Sequence, residues 1–209
     1  GSAVNLPGWE HIPLGAALQS HFRCPVRLEN DARLACLGEA RFGAGRGCRD
    51  LIYLTIGTGI GAGVLSQGAL LRGSRGMGSE AGHILLDPRG PLCGCGQRGH
   101  LEALASGPAI ARDAWQRLQT GQPSSLSPDR EPAAIEVGMA ALAGDALALA
   151  AFAQAGEWIG AALASLVHLF NPQRILLGGG VSLAGECLLA PVRRSLAAHV
   201  MDSAYLNNV

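Results

Sequence analysis

The stretch Glu80–Glu102, EAGHILLDPRGPLCGCGQRGHLE, limits the fold more than any other part of the chain. Pro88, Gly90, Pro91, Gly94, Gly96 and Gly99 interrupt it too often for a helix or a central strand. A loop carrying Glu80, His83, Cys93, Cys95, His100 and Glu102 has no apolar core of its own, so something else must hold it. A metal ion does this by coordinate bonds instead of packing. His83, Cys93, Cys95 and His100 follow H-x9-C-x-C-x4-H, and two thiolates with two imidazoles form one of the usual closed four-coordinate zinc sets. The Cys-x-Cys spacing is tighter than the common zinc-finger one. The bland alternative is a pair of reduced surface thiols beside two ordinary histidines, but thiols one residue apart are a liability without a metal. The set needs no water or substrate as fourth ligand, so the zinc reads as structural.

The rest of the chain must supply the fold around this loop. Its 209 residues suffice for one large domain or two small ones. Zero net charge and a pI near 7.2 give no pointer to nucleic acid or an anionic membrane. All 16 basic residues are Arg, which excludes a phosphate-binding or Schiff-base lysine. Cys24, Cys36, Cys48 and Cys187 are scattered singly, unlike a disulfide framework. The start, GSAVNLPGW, lacks the basic and apolar regions of a signal peptide. The longest charge-free apolar segment, Trp158 to Gln173, falls short of the roughly 18–20 residues that span a bilayer. A soluble cytoplasmic protein without membrane contact is expected.

In chain order, VNLPGW reads as a loop, Ile12–Phe22 as a short helix and Val26–Leu28 as a brief strand. ARLACLGEARFG places Leu34, Leu37 and Ala40 at helical spacing and stops at Gly43, so Asn30 and Asp31 fall at a strand-to-helix junction. Leu51–Ile56 is a β-branched strand, followed by the glycine turn GTGIGAG and a meander through Val64–Leu65 and Ala69–Leu71. Leu101–Leu118 reads as a helix interrupted at Ser106-Gly107-Pro108, and Gln119–Glu131 as a surface loop. Pro132–Leu142 reads as a helix with proline in its first turn. Asp145 caps a long helix with an apolar stripe from Leu149 to Phe170, ended by Asn171-Pro172. A strand at Arg174–Leu177 runs into Gly178-Gly179-Gly180, and Leu188–His199 is a last helix. This order indicates an α/β nucleotide- or ligand-binding lobe.

Two further patterns carry chemistry. In Gly57-Thr58-Gly59-Ile60-Gly61 the glycines let backbone N–H groups approach phosphate oxygens and Thr58 adds a hydroxyl. A dinucleotide fingerprint requires a helix directly after the loop, whereas a strand follows here; the alternative is a plain glycine hairpin. Asn30-Asp31 is a candidate pair for a substrate hydroxyl, with Asp31 as proton acceptor. The alternative is that Asp31 merely caps the helix.

The segments VNLPGW, LENDARLACLGE, LIYLTIGTGIGAGVL, SEAGHILLDPRGPLCGCGQRGHLEALASGPAI and NPQRILLGGGV together resemble the sugar kinases of the ROK family, within the actin-like ATPase superfamily. The resemblance runs from about Asn5 to about Val181. It implies an α/β actin-like ATPase (ribonuclease H-like) lobe with an inserted zinc-binding loop. It implies that Asp31 is the base that takes the proton from a sugar 6-hydroxyl, and that Asn30, Glu80, His83 and Glu102 bind the sugar. His83 would also use one ring nitrogen for zinc. Gly57, Thr58, Gly59 and Gly61 match the phosphate-binding turn, and Gly178, Gly179 and Gly180 the loop near the adenosine. ATP and Mg2+ are the implied co-substrate, a small-molecule sugar the partner, and a homodimer the assembly.

His100 stands where the family carries a third zinc cysteine, so a site formed here would be formally neutral instead of singly negative. The family's N-terminal lobe with its D-x-G-G-T phosphate motif is missing, so this chain is expected to be a sugar-binding and C-terminal lobe, a poor kinase alone. The other function considered is the sugar-sensing domain of a ROK repressor, with nucleic-acid binding only through a missing N-terminal part. Such repressors often lack the acid found at Asp31, for instance carrying Glu, which favours the kinase.

Overall fold

The computed structural model describes residues 12–207, so the VNLPGW loop lies outside the described residues. A mixed sheet in the order β3-β2-β1-β4 is formed by β1 (Leu51–Ile56), β2 (Ile60–Ser66), β3 (Ala69–Leu70) and β4 (Arg174–Gly178). β1 runs antiparallel to β2, with Leu51 opposite Leu65 and Ile56 opposite Ile60. It runs parallel to β4, with Leu51 opposite Arg174 and Thr55 opposite Gly178. The parallel pairing sets the C-terminal ends of β1 and β4 side by side, where open α/β sheets bind ligands.

Helices cover both faces because β1 alternates. Leu51 and Tyr53 point with Leu65 toward Cys36 and Leu37 of α2 (Asp31–Phe42). Ile52, Leu54 and Ile56 point into the main core with Ala62 and Val64. That core is closed by α3 (Leu101–Ala105), α4 (Gly107–Gln119), α5 (Ala134–Leu142), α6 (Ala146–Phe170) and α7 (Glu186–His199). Gly61 and Gly63 lie on the α2 side of β2. A methyl added at Gly61 would stand 2.8 Å from Ala32 Cβ, and one at Gly63 would overlap Cys36. Their missing side chains let α2 lie directly on the sheet, and this fixes where its first residues sit.

α1 (Leu14–Phe22) has no buried residue. The strand expected at Val26–Leu28 is not formed among the described residues: Leu28 is exposed, and no neighbouring strand offers it a ladder. The stripe expected on α2 is also turned. Ala32, Arg33 and Cys36 are buried while Leu34 faces outward, because the glycine floor of β2 admits small side chains there. α5 begins at Ala134, leaving Pro132 before the helix instead of in its first turn. α6 runs through Glu157 for 25 residues, so by length and composition it could cross a bilayer, contrary to the shorter apolar segment read from sequence. Here it is the core helix, with Phe152, Ile159 and Leu163 fully buried.

Candidate active site

Asn30, not Asp31, is the N-cap of α2: its Oδ1 accepts a hydrogen bond from Arg33 N at 3.1 Å. Asp31 is therefore free of the capping role. It sits in the first turn, exposed, with Oδ1 accepting from Ala32 N at 2.8 Å and Oδ2 without a hydrogen bond among the described residues. The cap uses one lone pair of Asn30 Oδ1 and leaves its amide N–H2 free to donate to a ligand.

The two glycine loops expected near a nucleotide come together at the C-terminal ends of β1 and β4. Gly57, Thr58 and Gly180 line one cavity of about 620 Å³. Gly57 O accepts from Gly107 N at 2.8 Å, which ties the turn to the start of α4. Gly179 adopts φ 86° beside the end of β1, a left-handed conformation that favours glycine. Gly178 still belongs to β4 and packs against the Tyr53 ring. Gly61, read from sequence as part of the turn, lies inside β2 facing α2; the turn itself is Gly57–Gly59.

The cavity wall was not legible in the sequence. Ile135, Met139 and Leu142 of α5 and Leu183 of the 3-10 turn after β4 (Gly180–Ala184) line it while remaining exposed. The signal that could have found them is that α5, AIEVGMAAL, is apolar on nearly all sides, although it turns only Val137, Ala140 and Ala141 into the core.

The Glu80–Glu102 loop gathers its metal-type donors. Ligand atoms of His83, Cys93, Cys95 and His100 all lie within 4.8 Å of one another. Cys93 Sγ stands 3.7 Å from His83 Nδ1 and Cys95 Sγ 3.2 Å from His100 Nδ1. Tetrahedral bonds of about 2.3 Å to sulfur and 2.0–2.1 Å to nitrogen put neighbouring donors roughly 3.3–3.8 Å apart. The two pairs lie close to that spacing and all four ligand atoms stay within 4.8 Å, so His83, Cys93, Cys95 and His100 could hold a small four-coordinate cation with a slight inward shift. Burial pushes the Cys93 thiol up from its usual pKa, so without a cation it holds its proton. The backbone turn around the thiols is closed by Gly96 N to Cys93 O at 2.9 Å and Cys93 N to Gln97 O at 2.7 Å.

The two ends of the loop differ. Glu80 is exposed at the head of the short 3-10 turn Ala81–His83. Glu102, in the first turn of α3, accepts from Ile60 N through Oε2 at 3.0 Å, while Oε1 lies 3.6 Å from Cys93 Sγ. It thus joins the metal-type cluster to the glycine turn, a link that no local pattern announced.

A mixed α/β sheet, glycine turns meeting at one cavity and an exposed acid heading a neighbouring helix define the ROK sugar-kinase fold. The chain belongs to the ROK family, whose domain matches residues 2–209. It is 41% identical over 203 residues to a glucokinase of Thermotoga maritima, covering 95% of this chain and 64% of that protein. It is 38% identical over 207 residues to the DNA-binding transcriptional repressor Mlc of Escherichia coli, covering 97% of this chain and 50% of the repressor. The crystal structure of a Streptomyces griseus ROK glucokinase in complex with glucose and AMPPNP superposes with a TM-score of 0.85 at 40% identity, covering 96% of this chain and 66% of that one. The chain thus spans about two thirds or less of the length of these relatives.

Proposed function

We propose that the protein transfers a phosphoryl group from ATP, with Mg2+, to the 6-hydroxyl of a hexose, as a glucokinase does. The observation that carries this reading is the pairing of a free, exposed Asp31 with a separate cavity lined by the two glycine loops. Asp31 takes the hydroxyl proton as the sugar oxygen attacks the terminal phosphorus; the bond from that phosphorus to the bridging oxygen breaks and ADP leaves. The Asn30 amide N–H2, Glu80, His83 and Glu102 hold the sugar's other hydroxyls, so the reacting oxygen arrives oriented. The Gly57 N–H closes the turn by donating to Gly59 O at 2.9 Å, so the backbone N–H groups of Thr58 and Gly59 and the Thr58 hydroxyl face the phosphates, and the apolar wall of α5 packs the nucleoside. His83, Cys93, Cys95 and His100 hold a structural zinc, which fixes the loop between Glu80 and Glu102.

Asp31→Asn is the test. Glucose phosphorylation, followed by a coupled ADP assay, should fall about 10²–10⁴-fold while glucose affinity changes little. Turnover equal to wild type would refute the role of Asp31. The similarity to Mlc favours a second reading, a sugar-sensing domain. That reading predicts glucose binding with no turnover in the wild-type protein.

A further inference from the structure

Arg33 is the one charged side chain among the buried residues described, only 7% exposed. Burying a guanidinium is costly unless it is paired and hydrogen-bonded, so its partners reveal what it is for. Nη1 donates to Gly78 O at 3.0 Å, two residues before Glu80. Nε lies 2.8 Å from Glu29 Oε1, close enough to pair but without hydrogen-bond alignment. The same Glu29 oxygen accepts from Asn30 N at 3.0 Å, and its other oxygen accepts from Arg72 Nε at 2.6 Å. Gly78 N donates back to Arg72 O at 2.8 Å, which closes a ring through Glu29, Asn30, Arg33, Gly78 and Arg72. The Arg72 hydrogen bond holds the Glu29 carboxyl below its ordinary pKa, so the ring stays ionic at neutral pH.

The ring touches both sides of the proposed sugar site without occupying it. One side is Asn30-Asp31 at the head of α2; the other is the Arg72–Gly78 segment that delivers Glu80 and His83. We infer that Arg33, braced by Glu29 and Arg72, is a positioning residue that sets the spacing between the Asn30-Asp31 junction and the Glu80–His83 wall. A lysine replaces it only in part: its three donors share one nitrogen, whereas the fork of Arg33 reaches a carboxylate and a carbonyl from separate nitrogens. This inference rests on the reading of Asp31 and Glu80 as sugar-facing.

The experiment compares wild type, Arg33→Met, Arg33→Lys and Arg72→Met in the full-length protein, measuring kcat, KM for glucose and KM for ATP, glucose affinity by calorimetry, and Tm. Arg72 is 54% exposed, so its removal leaves the fold intact even where Arg33→Met does not. Misplacement of a reacting group by about 1 Å costs up to 10²-fold in rate. Arg33→Met should lose about 10²-fold in kcat/KM for glucose with KM for ATP unchanged. Arg33→Lys should recover only part of this, and Arg72→Met should lose several-fold at wild-type Tm. An active wild type with Arg72→Met indistinguishable from it, or with glucose and ATP parameters falling together, would overturn the inference and leave the kinase reading intact. A wild type that binds glucose without turnover removes the kinase reading alone; Arg72→Met must then still weaken glucose binding, and unchanged binding overturns the inference. A wild type that neither binds nor phosphorylates any hexose removes both.

Discussion

Gly59→Ala perturbs the site through a single contact. Gly59 lies outside the left-handed region, so alanine is allowed by the backbone there. The added methyl would stand 3.3 Å from Glu102 Cδ and overlap Oε2 outright. To restore ordinary contact the carboxylate must retreat by about 1 Å. That lengthens its 3.0 Å bond to Ile60 N beyond hydrogen-bonding distance. Ile60 is only 5% exposed, so water cannot replace the lost acceptor. A buried donor left unpaired costs about 1–3 kcal/mol, which is the expected loss of stability in urea unfolding of the sugar-free protein. A displaced Glu102 also loses its bond to the sugar; a charged hydrogen bond of about 1.5–3 kcal/mol corresponds to a roughly 10- to 100-fold rise in the glucose Kd by calorimetry. Gly57→Ala is the control: its methyl would meet nothing within 4 Å, so stability should stay within about 0.5 kcal/mol of wild type. A Gly59→Ala protein that is destabilised yet binds glucose like wild type would remove Glu102 from the sugar site. One that is not destabilised would refute the Glu102–Ile60 link itself.

Elemental analysis of the purified protein should find about one zinc per chain, and Cys93→Ala should lose both the metal and glucose affinity; metal-free wild type that still binds glucose would exclude the scaffold role. Asp145, the N-cap of α6, accepts from Ala148 N at 2.9 Å, from Ser125 N at 2.6 Å and from the hydroxyls of Ser124 and Ser125 at 2.9 Å each. Burial pushes its carboxyl up, but these donors outweigh it and hold the pKa at about 2. The folded pKa is lowered, so the stabilisation is full above the unfolded value near 4 and is lost as pH falls through about 2. Asp145→Asn should therefore cost about 2 kcal/mol at pH 7, allowing for partial solvation, and about half that at pH 3 in urea titrations; a pH-independent difference would refute this assignment.

Much of this chain was determined locally and could be read directly. The donors His83, Cys93, Cys95 and His100 belong to one short loop, so their spacing already foreshadowed the cluster. β1 shows a strand's composition, α2 stops at Gly43, and Asp145 and Asn171 bracket α6, because caps and breakers act within a turn or two of themselves. Tertiary structure decided the rest. Whether Asn30 or Asp31 caps α2 depends on how the chain enters the helix, and Val26–Leu28 could become a strand only with a neighbour to pair with. Gly61 resembled part of a phosphate turn, yet it serves the approach of α2 to β2. The cavity exists because β1 and β4, far apart in sequence, pair in parallel and set Gly57 beside Gly180. The buried charge of Arg33 and the two-way tie of Glu102 likewise depend on which distant backbone groups the fold brings within hydrogen-bonding distance. Sequence spacing supplies the reactive groups; only long-range strand pairing and helix packing determine which of them face one another.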